Sequence, residues 1–269
     1  MNRNILRVKI LGEMRLVFIW HAVLIYLAWA VTVYREDHHF GGRKMKELAI
    51  LKSEVVGAIC SGIRQADREY GKWTGDEGID NAPEYLMTCA IARELVKLGK
   101  GYYATLEASV RGTLKCARIP GENRDSEGIS KKGRADIVLW VAPDGSDEGL
   151  PRSVIEVKKR VMKPNEQFEK DVRRLKAVMT QSMAKVGTLD FGCLAFWMGV
   201  DVTPAAGDSY AEEKLTAASN DLLKSAKGVL GKGRLVARLE RPKLHWGRYE
   251  DGTSYAWAPC VLVIEKPAA

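Results

Sequence analysis

Three residues in two short apolar runs have the types and spacing to do chemistry together. Asp136 lies in GRADIVLW, and Glu156 and Lys158 follow twenty positions later in SVIEVKKR. Side chains two apart on a strand share a face. Glu156 and Lys158 therefore point one way, and Ile155 and Val157 point the other. The connection at 143–151 is short enough for a hairpin, which would set Asp136 beside Glu156. Two carboxylates brought together repel, and one pKa rises unless a cation compensates. Mg2+ suits that place, with Mn2+ as its substitute, because it takes one or two carboxylates and keeps waters and phosphate oxygens. A metal-bound water gives up its proton more readily, and the ion polarises a phosphate. Lys158 would orient the attacking water or offset transition-state charge. A lysine beside carboxylates keeps its proton, so it is not the literal base.

The elements that must position these groups read as one α/β domain over 45–269. Helical spacing of Leu48, Leu51, Val55, Ile59 and Ile63 predicts a helix over 46–68. A second helix runs from Pro83, with Asn81 as cap, to about Lys97. Alternation predicts a strand over 102–110, then a polar loop at 117–133. Strands follow at 135–141 and 153–158. A helix over 165–186 carries the stripe Phe168, Val172, Leu175 and Met179. A buried strand at 191–198, a helix at 210–227 and strands near 234–240 and 255–264 complete the chain.

This constellation resembles the PD-(D/E)xK nuclease superfamily, with Asp136 as the first acid and Glu156-Val157-Lys158 as the (D/E)xK element. Ala135 stands where the family has proline. The resemblance covers about residues 84–198 and implies a restriction endonuclease-like core: a central mixed sheet flanked by helices, in the order helix, three strands, helix, strand. The C-terminal helix and strands would be additions. It also implies an acidic residue on the first core helix, for which Glu84 is the candidate metal ligand and Glu94 the rival. Glu107, on the polar side of the first strand, is a further candidate. A polar residue early in the helix after the ExK element is implied too, and Gln167 matches it, with Asp171 one turn later. The implied activity is metal-dependent hydrolysis of DNA phosphodiesters, as an endonuclease leaving 5′-phosphate ends.

Local charge supports a nucleic-acid partner. Lys158 to Lys176 holds eight basic residues against three acidic ones. Lys159, Arg160, Lys163, Lys170 and Arg174 are the candidate phosphate contacts there. Lys131, Lys132 and Arg134 join them from the loop before Asp136. DNA is the expected substrate. RNA, a homodimeric state and a catalytically silent binding or assembly module with the same fold stay open. Trp246 and Tyr249 offer base-stacking surfaces. The GVLGKGR run at 228–234 lacks the spacing of a phosphate-binding loop.

Composition sets limits. The 269 residues are 46% apolar and 28% charged, which fits a globular protein. The net charge is +8, but residues 1–44 hold 7 basic and 3 acidic residues, leaving 35 basic against 31 acidic, or +4, for the rest. Bulk charge is thus a weak argument. Five scattered cysteines without a CxxC pair, and four histidines without an HExxH, argue against a zinc cluster or disulfide framework and point to a reducing, cytoplasmic setting. The apolar run 17–34 is near the minimum length of a membrane span. Three readings of 1–44 stay open: a membrane tether, a buried helix, or translated upstream sequence with Met45 as the start.

Overall fold

Val55, Ile59, Ile63 and Ala66 recur on one side of the first helix of the computed structural model, α1 (Lys52–Thr74), and all four are buried. Gly75, at φ +67°, ends it. Then come α2 (Glu84–Val96), β1 (Tyr102–Ser109), α3 (Val110–Cys116), β2 (Arg134–Val141), β3 (Leu150–Arg160), α4 (Glu166–Ala184), β4 (Phe191–Val202), α5 (Gly207–Leu230), β5 (Val236–Glu240), β6 (His245–Arg248) and β7 (Ser254–Glu265). The structure describes residues 52–75, 78–99, 101–117, 129, 132–142, 149–184, 188–203, 207–248 and 253–267. The apolar run 17–34, Met45, Lys131 and Tyr249 lie outside them. Lys44–Ala269 makes one unit, to which everything below belongs. Among the described residues no helix is long and apolar enough to cross a membrane.

The chain is α/β, with a mixed, mostly antiparallel seven-stranded sheet flanked by helices. The strand order is β1-β2-β3-β4-β7-β5, and β6 also pairs with β7. Among the described strands only β3 and β4 pair in parallel, joined by the α4 crossover. Strand alternation sorts the apolar side chains into two cores. On one face Val138, Val154, Leu194 and Phe196 pack against Phe168, Val172 and Leu175 of α4 and Leu215 and Leu222 of α5. On the other, Ile137, Leu139, Ile155, Val157 and Trp197 pack against α1 and α2. The two helices of that second layer touch closely. A Cβ on Gly62 would lie 2.4 Å from the Ile91 Cα.

Three expectations need correction. Pro83, not Asn81, occupies the N-cap of α2, and no side-chain cap hydrogen bond forms there. The first strand stops at Ser109, whose hydroxyl accepts the Gly112 N–H at 3.3 Å and so starts α3. Val110 and Leu114, one turn apart, bury themselves on the α4 face. The short strand β6 was not expected. The apolar pattern across 234–264 resolves into three strands, not two.

Candidate active site

β2 and β3 are antiparallel neighbours, as the hairpin reading requires. Their register pairs Ile137 with Ile155. Continued by one residue, it brings Asp136 level with Glu156. Ile155 and Val157 enter the core under α1 and α2, so Glu156 points to the opposite face, towards α4. Asp136 Oδ2 accepts the Val157 N–H at 2.7 Å, which fixes that carboxylate at the edge of β3.

Glu156 is fully buried. Its Oε2 accepts from Arg174 of α4, and its Oε1 has no hydrogen-bond partner among the described residues. Burial pushes the Glu156 carboxyl up to about 8. Arg174 pulls against that, while Asp136 and Asp171 add to it. Arg174 also reaches Asp171 Oδ1 at 3.1 Å, and Asp171 is only 1% exposed. Gln167 donates to both Asp171 oxygens, at 3.3 and 3.2 Å. Gln167, Asp171 and Arg174 follow one another at i, i+4 and i+7 along α4, so they share a stripe.

Lys158 completes the group. Its Nζ lies 3.4 Å from Glu84 Oε1 and 3.7 Å from Asp171 Oδ2. Burial alone would lower its pKa, but Asp171, Glu84, Asp136 and Glu156 together raise it. Lys158 is therefore a fixed cation. Glu84, in the first turn of α2, also accepts the Lys159 N–H at 3.0 Å on Oε2. The N-terminus of α2 is thereby pinned to the end of β3.

No family model, curated protein or solved structure matches the chain.

The structure brings Asp136, Glu156, Lys158, Glu84 and Gln167 into one connected cluster. Two neighbours take roles the sequence did not assign. Asp171 is a buried hub and not a solvated residue. Arg174, expected on phosphate, is turned inward onto Glu156 and Asp171 because these carboxylates leave the helix a cation-shaped gap to fill. Arg160, also expected on phosphate beside Lys158, lies elsewhere. A register shift between Val157 and Arg160 sends it to the Trp197 ring, 5.4 Å from the centroid, and its Nη2 donates to Gly199 O at 2.8 Å. Lys132, Arg134, Lys163 and Lys170 are exposed and Lys159 partly so. Glu94 pairs with Lys97 and Ser61, away from the cluster. Glu107 is exposed, at φ 52°. Trp246 is 45% exposed.

Among the described residues no group of three or more His, Cys, Asp or Glu is arranged to hold a metal ion. Mg2+ needs only one or two protein carboxylates. Asp136 and Glu156 supply hard oxygen donors, and the orphaned Glu156 Oε1 is an unused buried acceptor. By donor chemistry the pair fits such an ion, provided that Arg174 gives way.

Proposed function

We propose that this chain is a Mg2+-dependent deoxyribonuclease with a PD-(D/E)xK-type site on a restriction endonuclease-like core. The observation that carries the reading is the meeting of Asp136, Glu156 and Lys158 at neighbouring strand edges, in the order helix, strands, helix, strand. When bound, the ion would lower the pKa of a water and polarise the scissile phosphate. Asp136 and Glu156 would hold it. Asp136 is kept in place by the Val157 amide. Lys158, protonated and held by Glu84 and Asp171, offsets the charge that builds on the phosphate oxygens. Gln167 steadies Asp171, and through it the lysine. The exposed Lys132, Arg134, Lys163 and Lys170 bind the DNA backbone without reading its sequence.

A second reading is a catalytically silent nucleic-acid-binding module. The observation favouring it is Arg174, whose guanidinium already occupies Glu156 Oε2. Incubation of supercoiled plasmid with the wild type and with Asp136→Asn, each with Mg2+ and with EDTA, separates the two. The nuclease reading expects nicked or linear DNA from the wild type with Mg2+ alone. Intact plasmid in every lane, with retained DNA binding, would establish the silent module.

A further inference from the structure

The ion pair between Glu156 and Arg174 is incomplete at both ends. Glu156 Oε2 accepts from Arg174, but Glu156 Oε1 and Arg174 Nε are both buried without a hydrogen-bond partner among the described residues. A buried polar atom left unpaired carries its full desolvation cost, and each such atom asks for a reason. The neighbours are better settled. Asp136 accepts the Val157 amide. Gln167 donates to both oxygens of Asp171. Lys158 is held by Glu84 and Asp171. Within the cluster, the orphaned atoms fall on this one pair.

Arg174 is also the partner that reaches solvent. Its side chain is 28% exposed, against 0% for Glu156 and 2% for Asp171. It therefore runs from the surface of α4 down to two buried carboxylates. Lys170, four residues earlier on α4, is exposed. Side chains at i and i+4 adjoin on a helix, so a phosphate seated on Lys170 lies within the swing of the Arg174 guanidinium. That planar fork fits a phosphate as well as it fits a carboxylate.

Resting on the nuclease reading for the two ligands, we infer that Arg174 changes partners when the site is loaded. A divalent ion takes Glu156, and the released guanidinium turns outward onto a backbone phosphate beside Lys170. Breaking a buried ion pair is costly when a bare charge stays behind. In this exchange neither charge is left bare, because the ion covers Glu156 and the phosphate covers Arg174. Asp171 keeps Lys158, 3.7 Å away, as its counter-ion. Each ligand alone compensates only half of the exchange: the ion alone releases the arginine without a partner, and DNA alone leaves the glutamate without one. Metal and DNA therefore bind cooperatively through one side chain, by the same factor in both directions.

Fluorescence anisotropy of a labelled DNA duplex, with full-length wild type and Arg174→Ala over a range of salt, tests the exchange. Ca2+ stands in for Mg2+ because it takes the same oxygen donors, and a gel checks that the duplex stays whole. In EDTA the two proteins are expected to share one slope of log affinity against log salt, since Arg174 then faces inward. In Ca2+ the wild type is expected to bind about tenfold tighter than in EDTA. Its slope is then expected to be steeper than that of Arg174→Ala by about 0.9, the value of one phosphate contact. Competition of Ca2+ for the phosphates acts on both proteins alike. Should the alanine variant fail to fold by circular dichroism, Arg174→Gln, which keeps amide donors but no charge, carries the comparison. Equal slopes in Ca2+, a difference already present in EDTA, wild-type binding indifferent to Ca2+, or no binding of the duplex overturns the exchange. Failure of the nuclease reading looks different: wild type that leaves plasmid whole with Mg2+ is no nuclease, whatever the slopes. An enzyme that cuts plasmid while both proteins share one slope in Ca2+ keeps Arg174 where it is.

Discussion

Asp136 Oδ2 and the Val157 amide are 2.7 Å apart, and this one bond ties the acid of β2 to the strand that carries Glu156 and Lys158. A hydrogen bond from a backbone N–H to an ionised acceptor is among the stronger ones. It holds one oxygen of Asp136 still and brings the carboxylate level with Glu156. The same bond separates the two obvious substitutions. Asparagine can still accept from Val157, whereas alanine leaves the amide without its partner.

Asp136→Asn is therefore expected to melt within about 1 kcal/mol of the wild type and to lose more than about 100-fold in plasmid cleavage. Asp136→Ala is expected to lose activity and a further ~1–3 kcal/mol of stability. Thermal melts and cleavage rates of both variants check this.

The strands were legible because a period of two leaves a clear trace. Ile155 and Val157 alternate with Glu156 and Lys158, so one face is apolar and the other chemical. The inward turn of Arg174 was harder to read. A basic residue in a basic helix looks like a solvated one. The signal was the stripe Gln167, Asp171, Arg174 and Val178, which lies beside the apolar stripe of Phe168, Val172 and Leu175 and ends in a buried valine. Arg160 was misplaced for a different reason. Strand parity predicts its side, and one extra residue after Val157 inverts it. The helix α3 went unread because Val110 fits the preceding alternation as well as it fits a helix with Leu114.

Removing Arg174 strips the cluster of an internal cation. Arg174→Ala leaves Glu156 and Asp171 facing each other without it. In EDTA near pH 8 the variant is expected to be about 3–5 kcal/mol less stable than the wild type. Saturating Mg2+ is expected to raise its melting temperature more than it raises that of the wild type, because no guanidinium competes with the ion. Melts with and without Mg2+ measure both effects.

Glu156 makes stability depend on pH. Its folded pKa is about 8, against an ordinary value of 4.5, chiefly through burial. The folded state thus keeps a proton that the unfolded chain releases. The resulting stabilisation is fully present below about pH 4.5 and is lost as pH rises through about 8. At ~1.4 kcal/mol per unit the loss amounts to a few kcal/mol at most. Melts in EDTA from pH 5 to pH 9 are expected to fall more steeply for the wild type than for Glu156→Gln, which cannot titrate.

The close approach of α1 and α2 limits what Gly62 can become. Alanine favours a helix over glycine by about 1 kcal/mol. Its Cβ would sit 2.4 Å from the Ile91 Cα and 2.7 Å from the Ile91 nitrogen, both backbone atoms. Separating the helices costs typically 1–3 kcal/mol. Gly62→Ala is therefore expected to be destabilising, by up to about 2 kcal/mol in a denaturant melt. Because α2 carries Glu84, cleavage is expected to fall with it.

In the proposed site Asp136 and Glu156 are the seats for a hard cation. Calorimetric titration of Mg2+ into the metal-free protein at pH 8, for the wild type and Asp136→Asn side by side, tests that directly. Saturable binding by the wild type that disappears in the folded variant is the predicted result. No binding to either protein, or the same isotherm for both, would contradict it.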